Sequence, residues 1–245
     1  MKNTLYILLF FCLIVSVNCK EAPAEKPQEV EFLLEHKIRA AKASDDKPPM
    51  LILLHGLRSN EEDLFVFGQV LDEELLVVSA RAPFEAGNNR YKWYDYQSNG
   101  TGTPTINLNE AEESRTMLIE FIDQLVSAYD VDEKRVFVAG FSQGAMMAYS
   151  IGLTQPDKVK GIGAFSGNIP DWVKGKLANK RLLSKVSAFV SHGKKDNVLS
   201  YDDALADKEF LEEIGIKVSF HDYDTPHTMN RANIMDFRDW LHGEI

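Results

Sequence analysis

The chain has 245 residues, 44% of them hydrophobic and 10% aromatic, with 37 acidic against 27 basic side chains and a formal charge of −10. That composition suits a globular protein with a sizeable core, and an acidic chain without a dense lysine–arginine cluster repels polyanions, so a nucleic-acid partner is excluded. Only Cys12 and Cys19 are present, so a chain cut before Cys19 has no internal disulfide, no thiol nucleophile and no cysteine-based metal site.

The first residues, "MKNTLYILLFFCLIVSVNC", place a lysine at position 2, then an apolar run, then small and polar residues before Cys19. This is a signal-peptide layout, and the run is short of the roughly 20 apolar residues that a membrane span needs. It loosely resembles the lipobox of a bacterial lipoprotein. The expectation is a signal over residues 1–18, Cys19 as a lipidated first residue, and a polar tether over 19–29. Residues 30–245 then form a single domain of the size common for α/β folds. The expected location is the bacterial cell envelope, with ordinary secretion as the alternative.

Along the domain, a first strand is expected within "EVEFLLEHKI", and "DDKPP" is a turn. "MLILLHG" is a continuous apolar run, as in a strand buried on both faces. "NEEDLFVFGQVL" reads as a helix capped by Asn60 or Ser59, and "ELLVVSA" as another buried strand. Residues 81–108 are irregular, rich in Gly, Asn, Thr and aromatics, and are expected to wall a pocket. There Trp93, Tyr94 and Tyr96 are either packing or a stacking platform. A long amphipathic helix follows, opened by Asn109.

"RVFVAG" is a strand, "QGAMMAYSIGLTQ" a helix with Met146 and Met147 in the core, and "VKGIGAFSG" and "SAFVSHG" are strands. "YDDALADKEFLEEIG" is a helix closed by Gly215, "KVSFHDY" a strand, and "NRANIMDFRDWLHG" the last helix. Alternating strands and helices imply a mainly parallel sheet covered by helices on both faces. In such sheets the site lies at the carboxyl ends of the strands.

At one strand-to-helix junction the sequence reads "GFSQG", with Ser142 between Gly140 and Gly144. A sharp turn there throws the apex side chain clear of the sheet, and glycine is wanted where neighbouring backbones crowd. A serine hydroxyl needs a base, and the base needs an orienting acid. Asp196 in "KKDN" follows a strand and is the expected acid; His227 in "DTPHTMN" lies between the last strand and the last helix and is the expected base. His55 and His192 precede glycines at strand ends, where they shape the site without catalysing. "LILLHGLRSN" brings a loop close to the serine, so the N–H of Leu57 and that of Gln143 are the expected oxyanion donors.

These pieces together resemble the phospholipase/carboxylesterase branch of the α/β-hydrolases, which includes acyl-protein thioesterases and small bacterial carboxylesterases. The matching stretches are "LLHGL" followed by "EDL", "RAPF", "WYDY", "GFSQGA", "HGKKDNV" and "PH", spread over residues 48–242. The resemblance implies an α/β-hydrolase fold, Ser142 as nucleophile, Asp196 as acid, His227 as base, and the backbone of Leu57 and Gln143 as oxyanion hole. Three positions depart from the family pattern: Arg58 and Ala145 stand where glycine is frequent, and Leu199 where proline is.

The expected function is a serine carboxylesterase acting through an acyl-enzyme on a small or short-to-medium acyl ester, with no metal or organic cofactor. A thioesterase or lysophospholipase with the same triad is the nearest alternative. A non-catalytic envelope binding protein on a hydrolase scaffold is the alternative of another kind. The expected partners are a small-molecule ester and, through Cys19 alone, a membrane.

Overall fold

The computed structural model describes residues 31–42, 46–97 and 105–245. The expected signal, lipidation site and tether lie outside the described residues. Phe32–Ile245 form one compact unit.

Strand β1 (His36–Arg39) leads to β2 (Met50–Leu54), the one-turn helix α1 (Glu62–Phe65), a 3-10 turn (Val66–Val70) and β3 (Leu76–Ala80). Two short hairpins follow, β4 (Phe84–Glu85) with β5 (Tyr91–Lys92), and β6 (Tyr96–Gln97) with β7 (Thr105–Ile106). Then come α2 (Leu108–Tyr129), β8 (Val136–Phe141), α3 (Gln143–Thr154) and β9 (Gly161–Phe165). Two one-turn helices, α4 (Asp171–Lys174) and α5 (Lys180–Leu183), precede β10 (Ser187–Gly193), α6 (Tyr201–Glu213), β11 (Lys217–Tyr223) and α7 (Arg231–Glu244).

The main sheet has seven strands in the order β1-β3-β2-β8-β9-β10-β11. All neighbours are parallel except the edge strand β1, which runs antiparallel to β3. Side chains alternate between faces along a strand. Met50, Ile52, Leu54, Val136 and Val138 accordingly join one apolar cluster with Leu118 and Phe121 of α2 and Met147 and Ile151 of α3. Leu51, Leu53, Phe137 and Ala139 join a second with Leu64 of α1 and Phe237 and Leu241 of α7. Both faces of the central strands are therefore dry, which explains the continuous apolar runs of the sequence. Among the described residues no helix is long and apolar enough to cross a membrane.

Several expectations need correction. The first strand begins only at His36, after Leu34 has turned into the core. The helix expected over 60–71 is one α turn followed by 3-10 geometry, since Gly68 brings this backbone close to Val77 of β3. Asn60 still serves its start, because its Oδ1 accepts from the N–H of Glu62 at 3.0 Å. The long helix is capped by Asn107, not Asn109; the Asn107 side chain accepts from the N–H of Glu110. The stretch 168–186, for which the sequence suggests no element, holds α4 and α5.

Helix α6 carries a buried acid, Asp207, which is 5% exposed. Its Oδ2 accepts from the N–H of Ile169 at 2.7 Å, and Lys174 lies 3.6 Å from its other oxygen. Burial pushes its carboxyl up to about 6. A folded-state value above the unfolded one means stability present below the ordinary carboxylate range and lost as pH rises through about 6. Asp207→Asn keeps an acceptor for Ile169 and removes the charge. It is expected to stabilise the fold by about 2 kcal/mol at pH 8 and by nothing at pH 4, as read from urea midpoints at the two pH values.

Candidate active site

Ser142 stands between the end of β8 and the start of α3 with φ 53° and ψ −115°, a backbone conformation rare for any residue but glycine. The close approach around it dictates the glycines. A Cβ on Gly144 would sit 2.0 Å from the carbonyl oxygen of Leu54 in the neighbouring strand, and one on Gly140 would sit 2.3 Å from the carbonyl carbon of Gly144. The N–H of Ser142 donates to the carbonyl of Phe165 at 2.9 Å, which ties the turn to β9. The side chain is left free of the sheet at the carboxyl ends of the strands.

Asp196 and His227 arrive there from the loops after β10 and β11. The two loops are laced together, the N–H groups of Lys194 and Lys195 donating to the carbonyls of Tyr223 and Thr225 at 2.7 and 3.0 Å. His227 Nε2 lies 3.0 Å from Ser142 Oγ, and His227 Nδ1 lies 2.6 Å from Asp196 Oδ2. The other carboxylate oxygen, Oδ1, accepts from the N–H groups of Val198 and Leu199, both at 2.9 Å. The Asp196 side chain is fully buried, whereas that of His227 stays partly open at 15% exposed.

Burial works to raise the Asp196 carboxyl, but the bonds from Leu199, His227 and Val198 outweigh it and hold it below the usual range. An ionised acceptor fixes the proton of His227 on Nδ1. Nε2 then presents its lone pair to the serine hydroxyl. Sequence order and strand ends bring these three residues into view, and the fold brings all three together.

Gln143 heads α3, so its backbone N–H has no partner within the helix and lies at the positive end of the helix dipole. Leu57 follows Gly56 in the loop after β2. That loop passes close to the serine, since a Cβ on Gly56 would lie 3.6 Å from Ser142 Cβ. Arg58 N–H donates to the carbonyl of Tyr91 at 2.9 Å and Tyr91 N–H to that of Ser59 at 2.8 Å, which clamps the loop onto β5. Arg58 has φ 61°, the left-handed conformation that makes glycine frequent at this position.

The side chain of Gln143 is a feature that sequence reasoning missed. Its Oε1 accepts from the N–H of Trp93, and its Nε2 donates to the carbonyl of Tyr94, each at 2.9 Å. Trp93 Nε1 in turn donates to the carbonyl of His55 at 2.9 Å. His55 is fully buried; its Nε2 accepts from Ala82 N–H at 3.0 Å and its Nδ1 faces the carbonyl of Gly56 at 2.8 Å. Burial holds this imidazole below its usual range. The elbow, the loop after β2 and residues 93–94 are thus one hydrogen-bonded unit. The only signal in the sequence is the polar Gln143 beside an otherwise apolar helix.

Trp93 and Tyr94 are wholly buried and are packing residues, not a platform. Tyr96 and Ile106 do wall a cavity of about 540 Å³, with Met146, Ile169, Leu199 and Asp207 on its other sides. Met146, expected in the core, is only partly buried and lines this cavity, where the Tyr94 hydroxyl donates to its sulfur at 3.0 Å. A cleft of about 630 Å³ around Val159 and Lys160 lies at the opposite ends of the strands, away from Ser142. Among the described residues no three His, Cys, Asp or Glu side chains converge to hold a metal ion.

Comparison with known proteins agrees with this architecture. The sequence profile of the phospholipase/carboxylesterase family matches residues 36–245. An acyl-protein thioesterase 1 of Debaryomyces hansenii is 23% identical over 222 residues, which cover 83% of this chain and 94% of that protein. The crystal structure of the Bacillus cereus carboxylesterase superimposes with a TM-score of 0.75 at 24% identity, covering 86% of this chain and 95% of that one. Esterase PE8 gives a TM-score of 0.73 at 25% identity, over 86% of this chain and 99% of its own. A profile match over nearly all the described fold, on a parallel sheet with a serine elbow, identifies the chain as a member of the phospholipase/carboxylesterase family with the α/β-hydrolase fold.

Proposed function

We propose that the chain is a serine carboxylic-ester hydrolase that works through an acyl-enzyme on an ester with a small or short-to-medium acyl group. The observation that carries this reading is the unbroken line from Ser142 Oγ to His227 Nε2 at 3.0 Å and from His227 Nδ1 to Asp196 Oδ2 at 2.6 Å. Ser142 Oγ bonds to the ester carbonyl carbon as its proton passes to His227 Nε2. The negative charge that grows on the carbonyl oxygen is met by the N–H groups of Leu57 and Gln143. The imidazolium, steadied by the Asp196 carboxylate, returns the proton to the departing alcohol oxygen. Water, activated by the same histidine, then releases the acid.

Relatives named thioesterases and carboxylesterases occur in the same family, so the alcohol or thiol leaving group is the first thing to measure. p-Nitrophenyl esters from acetyl to decanoyl, with the matching acyl thioesters in parallel, are expected to be cleaved with a preference for the shorter oxygen esters. A burst of p-nitrophenol equal to the enzyme concentration marks the acyl-enzyme. A folded protein inert to every member of the panel sinks this reading.

We also propose export with lipid attached at Cys19, supported by the charged start, apolar run and cysteine at residues 2–19. Mass spectrometry of the mature N-terminus is expected to read an acylated Cys19; an unmodified N-terminus overturns it.

A further inference from the structure

His192, the penultimate residue of β10, is fully buried, and its side chain lies against Asp196 four residues later. Its Nε2 is 3.1 Å from the carbonyl oxygen of Leu199 and 3.4 Å from Asp196 Oδ2. Both neighbours are acceptors, so this nitrogen carries the ring proton. Nδ1 is buried and meets no partner. Leu199 is bound twice, since its N–H also donates to Asp196 Oδ1 at 2.9 Å. The acid loop is thereby pinned through its carboxylate and through the carbonyl of the residue that holds that carboxylate.

This matters because Asp196 Oδ2 is the oxygen that faces His227. Free of His192, the Leu199 carbonyl loses its donor, and the loop that presents both backbone donors to Oδ1 is free to shift and to carry Oδ2 with it. We propose that His192 is a positioning residue: its Nε2–H, donated to the carbonyl of Leu199, fixes the loop whose N–H groups hold Asp196 Oδ1, and so keeps Oδ2 of Asp196 in line with His227 Nδ1. The inference rests on the reading of Ser142, His227 and Asp196 as the reacting set. The side chain is fully buried and has no face open to a ligand, so its loss acts on turnover and not on binding.

The test compares three variants by two readouts, kinetics and the far-downfield proton resonance of His227 Nδ1–H, which His227→Ala identifies by its loss. Gln places an amide nitrogen where His192 Nε2 stands, whereas Asn places it where Nδ1 stands, away from both acceptors. Leu keeps the bulk and has no donor. His192→Leu is expected to keep the resonance only shifted upfield or broadened, to lower kcat by about 100-fold, the cost of a misplacement near 1 Å, to leave KM within about threefold, and to move the acidic limb of the pH–rate profile.

His192→Gln is expected to restore the resonance and most of the rate. Should the Leu variant not fold, the Gln and Asn pair decides: Gln near the parent and Asn deficient supports the role. Equal behaviour of Gln and Asn, or a folded Leu variant with an unchanged resonance and kcat, overturns it. The resonance does not depend on turnover, so it tests His192 even if hydrolysis proves independent of Ser142, a result that would instead sink the catalytic reading.

Discussion

Ser142→Ala is expected to lower kcat for p-nitrophenyl acetate by roughly 10⁵–10⁶-fold, the loss seen when the nucleophile of a serine–histidine–acid unit is removed. The reason is geometric. His227 Nε2 faces Ser142 Oγ at 3.0 Å, so the deletion leaves the base with nothing to deprotonate but water. The same site makes a second, opposite expectation about stability. A non-glycine residue held at φ 53° and ψ −115° costs on the order of 1–3 kcal/mol. Ala keeps that strain and Gly releases it. Ser142→Gly is therefore expected to be inactive yet about 1 kcal/mol more stable than the parent, while Ser142→Ala stays near the parent in urea midpoint. A Gly variant no more stable than the Ala variant would show that the elbow stores no strain. Hydrolysis retained by the Ala variant would remove Ser142 from the mechanism.

Gly144→Ala is expected to prevent folding, or to cost more than about 4 kcal/mol, a range reserved for changes with no room to relax. The added methyl would lie 2.0 Å from the Leu54 carbonyl oxygen, 2.6 Å from its carbon and 2.7 Å from the His55 oxygen. All three atoms are backbone of β2 or of the loop that leaves it, and Leu54 is registered against Gly140 across the sheet. Relief would require the start of α3 to lift away from the end of β2, against the tight turn at Ser142 that joins α3 to β8. Gly175→Ala is the control: no atom lies within 4 Å of its added Cβ, and its φ of −77° suits any residue. It is expected to stay within about 0.5 kcal/mol of the parent. A Gly144→Ala protein that purifies with the parent's denaturation midpoint would contradict the close approach.

The elements that position the site are legible in the sequence because one physical rule governs each. Apolar runs such as Met50–Leu54 and Val136–Ala139 must be buried on both faces, and they are. The junction at Ser142 is dictated by local crowding, which the two flanking glycines announce. What escapes a reading of the chain is interaction between distant segments. Nothing near Gln143 in the chain says that its amide meets Trp93 and Tyr94, 50 and 49 residues away. Nothing beside Gly68 says that Val77 lies against it and tightens a helix into 3-10 geometry. Asn107 and Asn109 are equally good caps by type, so residue chemistry alone does not choose between them. Asn107 wins since its N–H is also taken by the carbonyl of Asp95, which anchors that end of the helix to the aromatic stretch. Met146 reads as core from its helix alone, and only the hairpin of Tyr96 and Ile106 opposite shows that it faces a cavity.

The three residues of the line are far apart along the chain, with 85 positions separating Ser142 from His227 and 31 separating Asp196 from His227. No local segment assembles them. β9, β10 and β11 must be laid in turn, in parallel register outward from β8, before the loops that carry Asp196 and His227 reach the serine. Parallel pairings close long loops and are slow to form. Catalytic competence is therefore one of the last properties this chain acquires on its way to the native state. During refolding from denaturant, helical signal and burial of Trp93 will return ahead of ester cleavage, and enzyme activity becomes the most stringent reporter of complete sheet assembly.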